Sequence, residues 1–407
     1  MRTKKFNITG TCYPQKHYMA DVGDKIAQII KMIDDGDYFT INRARQYGKT
    51  TTLSLLEDKL PELGYTVIRI SFEGIGDTPF ESEAKFCQNI VGQIQYYLQR
   101  YQKEEANDWI DKSITTYKLF GKFLDKVCAG KKYVLLIDET DKSRNNLVFL
   151  HFLGMLRDKY LTRNEKGIAT FHNVVLAGVY DIKNLKIKMI QTGTHQLQDG
   201  EKRINSPWNI AAEFKVDMSL SVKEITSMLA DYENDEHTGM NISEIAEEIR
   251  YYTNGYPFLA SKLCKTIDED LDKNWTLGGV QEAIKELLIE QNTLFDDLFK
   301  NVRNNENLRN LLYGLVFENN YYSYNPYNET IELGLIFGIL SKNNNGVIVS
   351  NKIFELLLSN YFLSEQEIKN YADLSLDLRS ELTENGKLNM PLLIQADNNI
   401  KMSMKKI

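Results

Sequence analysis

The stretch that most constrains this chain is Asp37-Tyr-Phe-Thr-Ile-Asn-Arg-Ala-Arg-Gln-Tyr-Gly-Lys-Thr-Thr-Thr-Leu53. Tyr38 to Ile41 is an apolar, β-branched run that predicts a buried strand. A turn follows, and Gly48-Lys49-Thr50-Thr51 opens a helix whose apolar residues recur at Leu53, Leu55, Leu56 and Leu60. A strand, a Gly-Lys-Thr loop and a helix is the order that aims backbone N–H groups at an anion, because a helix N-terminus carries unpaired donors and glycine lets the backbone come close. On that reading Arg45, Gln46, Tyr47, Gly48, Lys49, Thr50 and Thr51 cradle phosphates, Lys49 reaches the β- and γ-phosphates, and Thr50 holds Mg²⁺. The full pattern has a glycine five residues before Gly48, where this chain carries Arg43, so the motif alone decides nothing.

A second stretch adds to it. Lys132-Tyr-Val-Leu-Leu-Ile-Asp-Glu-Thr-Asp141 is a continuous apolar run, Tyr133 to Ile137, that discharges into Asp138 and Glu139. Strands covered on both faces of a parallel sheet are apolar throughout, and their carboxyl ends line the ligand crevice. Asp138 would then hold the Mg²⁺ shell through water, and Glu139 would polarise the attacking water, which makes Glu139 and Lys49 the catalytic candidates. Alone, an Asp after a strand more often merely caps the next helix. With Gly48-Lys49-Thr50 upstream, nucleotide binding is the stronger reading.

The rest of the composition excludes several alternatives. At 407 residues the chain has room for two or three domains. A net charge of −7, from 49 basic and 56 acidic residues, does not invite nucleic acid as a bulk partner. Cys12, Cys87, Cys128 and Cys264 lack metal-ligand spacing and read as reduced thiols, and no run approaches the roughly 18 apolar residues of a membrane span, so a cytoplasmic location is expected.

Along the chain, a helix is expected from about Asp24 to Met32, preceded by His17, Tyr18 and Met19, which either pack over a nucleotide base or simply lead into that helix. Strands are expected at Tyr65 to Phe72, Asn173 to Val179 and Phe214 to Asp217, and helices at Glu81 to Tyr101, Tyr117 to Cys128 and Leu147 to Tyr160, with Gln99 to Asp108 as charged surface. Arg157 and Arg163 are possible phosphate sensors, and Tyr180 and Asp181 occupy the place where a γ-phosphate sensor is expected. From Ser221 the pattern becomes helical: Val222 to Tyr232, Ile242 to Tyr252, Phe258 to Leu271 with Pro257 at its start, one or two helices over Gly278 to Phe299, then Arg309 to Phe317 and Ile331 to Leu340. A hairpin turning at Asn345-Gly346 and a helix from Lys352 to Tyr361 complete the outline of a winged helix, and the polar tail after Asn370 is expected to be loosely held.

Five ordered motifs resemble the prokaryotic AAA-ATPase-like proteins of the STAND group of signal-transduction P-loop ATPases. They are Asn42-Arg-Ala-Arg-Gln-Tyr-Gly-Lys-Thr50, Leu136-Ile-Asp-Glu-Thr-Asp141, Leu176-Ala-Gly-Val-Tyr-Asp-Ile-Lys-Asn-Leu185, Ser206-Pro-Trp-Asn-Ile210 and Thr253-Asn-Gly-Tyr-Pro-Phe258. The resemblance covers about His17 to Tyr361 and implies an α/β fold: a P-loop NTPase parallel sheet of the AAA+/STAND type (1–218), an all-α lid (219–300), a winged-helix-like domain (301–365) and a tail (366–407). It makes an Arg-rich loop without the first glycine family character. It also implies that Gly255-Tyr256-Pro257 is a lid motif whose proline packs against adenine, which adds Tyr256 and Pro257, with Tyr18, to the nucleotide-binding set. Two departures stand out: Tyr180 and Asp181 replace the family's usual Arg or Thr-Thr-Arg, and the sequence to Ile407 has no PD-(D/E)XK nuclease-like pattern, which implies a form lacking that effector.

Two functions follow as expectations. One is an ATPase switch that binds ATP or ADP with Mg²⁺, hydrolyses slowly and acts on a protein effector or by self-association. The other is a non-catalytic nucleotide-binding scaffold or a winged-helix DNA-binding protein. DNA is the less favoured partner, because Ile331 to Leu340 carries Glu332 and no Lys or Arg, and the hairpin offers only Lys342.

Overall fold

The computed structural model describes residues 4–101, 103–111, 113–143, 147–179, 208–384 and 387–388, with side chains up to residue 368. Its first half is built on four parallel strands, β1 (Phe39–Asn42), β2 (Thr66–Ser71), β3 (Tyr133–Asp138) and β4 (Asn173–Gly178), in the order β1-β4-β3-β2. Asn42 pairs with Gly178 and Ser71 with Asp138, so the strands finish together at one edge. The carboxyl ends of the expected strands thus form one rim.

Both faces of this sheet are covered. Helices α1 (Gly23–Asp34) and α2 (Lys49–Lys59) bury Ile29, Ile33, Leu53 and Leu56 against Val134, Leu136 and Val175. On the other face α3 (Glu83–Arg100), α4 (Tyr117–Val127) and α5 (Leu147–Lys166) close an aromatic core of Phe86, Phe120, Phe149 and Phe152. Ser82 and Thr116 cap α3 and α4 through the backbone N–H groups of Lys85 and Leu119. Because no face of β3 or β4 meets water, every residue of both strands is buried, and the apolar runs that predicted them have this cause.

The second half is helical. It comprises α6 (Val222–Glu236), α7 (Ile242–Thr253), α8 (Pro257–Glu269), α9 (Leu277–Ile289), α10 (Thr293–Asn304), α11 (Glu306–Phe317) and α12 (Glu329–Ile336). An antiparallel hairpin, β5 (Leu340–Asn343) with β6 (Gly346–Val349), and α13 (Lys352–Leu382) follow. A capping box between Ser221 and Glu224 starts α6. One continuous core runs from Ile225 and Leu263 through Leu312 and Ile331 to Phe354, and it takes in Phe6, Tyr18 and Ala44 from the first half. Among the described residues no helix is long and apolar enough to cross a membrane.

Several expectations change. Phe214 to Asp217 is not a strand; the segment touches the sheet through one parallel bridge, Ala212 to Phe39, with the Ala212 N–H donating to the Tyr38 carbonyl at 2.8 Å. Arg43 holds this flank, donating to the Val216 carbonyl at 2.8 Å with its guanidinium over the Phe214 ring. Within the supposed charged surface, Ala106 is buried, and Trp109 just beyond it is wholly so. Helix α12 stops at Ile336 because Gly338, at φ +68°, turns the chain into β5, and the hairpin turns at Asn344-Asn345, one residue early. Helix α13 runs well past Tyr361, through residues whose polarity had suggested a loose tail. Tyr180, Asp181 and Ser206-Pro207 lie outside the described residues.

The junction at Gly255 explains the glycine in Thr253-Asn-Gly-Tyr-Pro257. At φ +72° it accepts from the Leu220 N–H at 2.7 Å, and a Cβ would stand 2.1 Å from the Leu220 carbonyl oxygen. Gly239 has a similar φ of +74° but open space around it. Gly239→Ala should therefore cost only the left-handed strain, about 1 kcal/mol, while Gly255→Ala adds the clash and should cost about 3 kcal/mol. Urea titrations followed by circular dichroism check this; equal losses would mean that the close approach to Leu220 is absent in solution.

Candidate functional site

The loop between β1 and α2 ends on Gly48, the residue capping α2, at φ +80°, and a side chain there would meet no protein atom within 4 Å. The first turn of α2 is thus open in front of its unpaired N–H groups. Lys49 is only 7% exposed, and its ammonium donates to the carbonyls of Arg43 (3.0 Å) and Ala44 (2.9 Å). Burial lowers its pKa from the ordinary lysine value, while Asp141, Glu139 and Asp138 pull it back. The Thr51 hydroxyl accepts from the Cys12 N–H at 3.2 Å, tying the N-terminal segment to the helix start.

Facing this loop is a group of carboxylates at the ends of β2 and β3. Asp138 accepts from the Glu139 N–H at 3.0 Å with one oxygen and pairs with Arg69 at 3.3 Å through the other. Arg69 also pairs with Glu57 at 3.1 Å, and Glu57 accepts from the Tyr97 hydroxyl at 2.6 Å. Glu139 has φ +54°, and burial, followed by Asp141 and Asp138, raises its pKa above the usual carboxylate range, against the pull of Lys49. Asp141 accepts from the Val179 N–H at 3.2 Å, and Lys142 pairs with Glu73 at 3.3 Å. A Cβ on Gly178 would meet the Thr140 hydroxyl at 2.6 Å, so this glycine admits the turn that carries the carboxylates.

Loop and carboxylates open into one cavity of about 590 Å³, within the size range of small-molecule sites. Arg45, Gln46, Tyr47, Gly48, Lys49, Thr50, Thr51 and Glu139 all line it, and its apolar portion comes from Met19, Ile26, Met228 and Phe258. Pro257 lines it as the first residue of α8, and Tyr18 lines it while its hydroxyl donates to Asp235 at 3.0 Å and its ring packs on Phe6 and Tyr232. Asp138 stands behind Glu139 rather than in the lining. Tyr256 departs from expectation. It is 2% exposed, lies off the cavity, and reaches the phosphate loop from below, donating to the Arg45 carbonyl at 2.5 Å and meeting the Tyr47 ring edge-on at 4.6 Å. Burial pushes its phenol well above the ordinary range, so it remains a donor. Arg163 is no sensor: its guanidinium binds the carbonyls of Gly36, Phe171 and His172 at the amino ends of the strands. Arg157 does not line the cavity either.

These residues fit a nucleotide: an open helix N-terminus, a buried lysine, a cavity with an apolar portion, and a buried Gln46 carbonyl oxygen that has no partner. For Mg²⁺ the donors are sparser. No group of three or more His, Cys, Asp or Glu among the described residues could hold a metal by itself, which suits an ion bound through Thr50, phosphates and water-bridged Asp138.

Sequence reasoning missed the residues that come from far away. Asn7 to Gly10 and Cys12 form one wall; Asp297 pairs with Arg45 at 3.1 Å; Thr293 accepts from Gln46 at 3.1 Å; Arg69 orients Asp138. Partners that lie from 39 to 252 positions apart leave no local pattern, and the charge of Arg69 within an otherwise apolar strand is the one visible signal.

Comparison with known proteins agrees with this architecture. A Walker-type ATPase of Pyrococcus abyssi superposes with a TM-score of 0.57 at 12% identity, covering 87% of this chain and 99% of that one, a likeness of fold. The ORC2 protein of Aeropyrum pernix matches more loosely, with a TM-score of 0.42 at 12% identity over 89% of this chain and 98% of that one. No curated protein matches the chain. The model of the AAA-like domain family matches residues 15–363, and the chain, with its P-loop NTPase fold, belongs to that family.

Proposed function

We propose that this protein is an ATP-binding P-loop ATPase of the STAND type that works as a nucleotide-dependent switch, with slow hydrolysis. The observation that carries the reading is that one cavity is bounded by the phosphate loop and by α8 and α10 of the helical half. A nucleotide seated there bridges residues 1–218 and the helices after 219, and it shifts their arrangement by its differential affinity for the open and closed forms. The lid (219–300) and the winged-helix-like portion (301–365) share one hydrophobic core, which favours their moving as a unit.

In this reading the backbone N–H groups of Gly48 to Thr51 bind the phosphates, Lys49 exchanges the Arg43 and Ala44 carbonyls for phosphate oxygens, and the apolar portion near Met228 and Phe258 takes the base. Pro257, at the cavity edge, contacts the base as α8 closes. Glu139 accepts the proton of the attacking water, a task suited by its raised pKa. Bound Mg²⁺ would supply positive charge against the β- and γ-phosphates, with Thr50 and Asp138 as the residues that hold it. DNA binding is disfavoured by α12, which carries Glu329 and Glu332 and no basic residue.

Calorimetry with ATP and ADP tests the site: Lys49→Ala should abolish binding of both, and unchanged affinity would sink the assignment. Glu139→Gln should keep affinity for ATP while slowing turnover by about 10²–10⁴-fold, and turnover at the parent rate would remove Glu139 from the mechanism. Tyr256→Phe probes the grip of the helical half on the loop. Losing one buried hydrogen bond should weaken ATP and ADP by roughly 2- to 10-fold without unfolding the protein. Parent-like affinity for both would show that Tyr256 does not set the loop.

A further inference from the structure

Four cations line the cavity among the described residues, and Lys142 alone of them belongs to the carboxylate rim. Lys25 donates to the Ser219 carbonyl and pairs with Glu224 at 2.7 Å; Arg45 pairs with Asp297; Lys49 is held by the loop carbonyls as the lysine of the phosphate loop itself. The fourth, Lys142, is bound only to Glu73, with both side chains well exposed (41% and 63%). Exposed ion pairs of this kind contribute little and open readily.

The backbone that carries Lys142 is fixed. It sits in the 3-10 turn Thr140–Ser143, where the Thr140 hydroxyl donates to the Ala177 carbonyl at 3.1 Å, Asp141 accepts from Val179, and the Lys142 N–H donates to the Glu139 carbonyl at 2.9 Å. A rigid turn therefore presents a long, weakly held ammonium to the cavity three residues after Glu139. Glu73, Asp138, Glu139 and Asp141 make this rim strongly negative. A terminal phosphate seated there would gain from a cation of the rim itself, besides Lys49 and any bound Mg²⁺, and Lys142 is placed to supply it.

We propose that Lys142 is the residue that distinguishes a nucleoside triphosphate from a diphosphate: the Lys142–Glu73 pair opens when a γ-phosphate is present and Lys142 binds it, while a diphosphate leaves the pair closed. The linkage between the loops after β2 and β3 then depends on nucleotide state. This rests on the nucleotide reading above and assigns to one side chain the discrimination that reading requires.

The test is calorimetric titration of the full chain with ADP and with a non-hydrolysable ATP analogue, for the parent, Lys142→Met and Glu73→Gln. Lys142→Met should leave ADP affinity within about 2-fold and weaken the analogue about 10-fold or more, the loss of a charge-assisted contact. Glu73→Gln, which frees the ammonium, should strengthen the analogue relative to ADP. A parent that binds neither nucleotide overturns the nucleotide reading and this inference together. A parent that binds both, with the analogue-to-ADP ratio unchanged in both variants, or both ligands weakened equally by Lys142→Met, overturns the role of Lys142 and leaves the nucleotide reading standing.

Discussion

The Tyr256 hydroxyl, donating to the carbonyl of Arg45, joins the phosphate loop to the helical half. The phosphate loop is not self-sufficient: Gln46 adopts φ +55°, a conformation that costs a side-chain-bearing residue about 1–2 kcal/mol, and its strand supports it only as far as Asn42. The compensating contacts come from the helical half. Tyr256 binds Arg45, Thr293 binds Gln46, Asp297 pairs with Arg45, and Gly338 approaches so closely that a Cβ there would stand 2.6 Å from that of Ala44. Each of these contacts is part-buried or exposed and modest alone, but together they favour this loop shape while α8, α10 and the turn after α12 are docked. The shape of the loop and the position of the helical half are thus linked through these contacts.

That coupling also marks where the sequence stops being readable. Strands β1, β3 and β4, the Gly48-Lys49-Thr50 turn and the Asp138-Glu139 rim were legible because each is a local consequence of burial on both faces or of a helix start. The fate of Tyr256 was not. As a residue before a helix-starting proline it looks like a lid residue facing ligand, and nothing nearby says that its partner is a carbonyl 211 positions earlier. Arg43 looked like a missing glycine and is instead a bracket for the Phe214 flank. No motif marks residues 4 to 12, yet Phe6 is buried in the helical core, Ser261 donates to the Asn7 carbonyl at 2.8 Å, and Asn7 to Gly10 line the cavity.

Helix α13 shows a different limit. Its apolar period fades after Tyr361, and period was the signal being followed, but Glu365, Gln366, Glu367 and the leucines beyond are good helix formers, and the helix persists to Leu382 on propensity. Loss of amphipathicity reports loss of a packing face, not the end of a helix. The pair between Arg309 and Glu365 lies where the apolar contact is giving out, and it holds the emerging helix to α11.

The rim of carboxylates makes the same point in charge. Asp138 is almost fully buried, and burying a carboxylate is costly unless it is paired. Arg69 supplies that partner from β2, but it is itself shared with Glu57 on α2, which accepts from Tyr97 on α3. The orientation of Asp138 therefore depends on the seating of an outer helix that never reaches the cavity. On the other side of the cleft, Lys49 is buried among backbone carbonyls, which hold its charge without neutralising it. One face of the cleft is negative and locked through Arg69, the other positive and locked through carbonyls. An anion entering between them is drawn by the second and repelled by the first, so a cation carried by the rim itself, such as Lys142 after β3, offsets that repulsion.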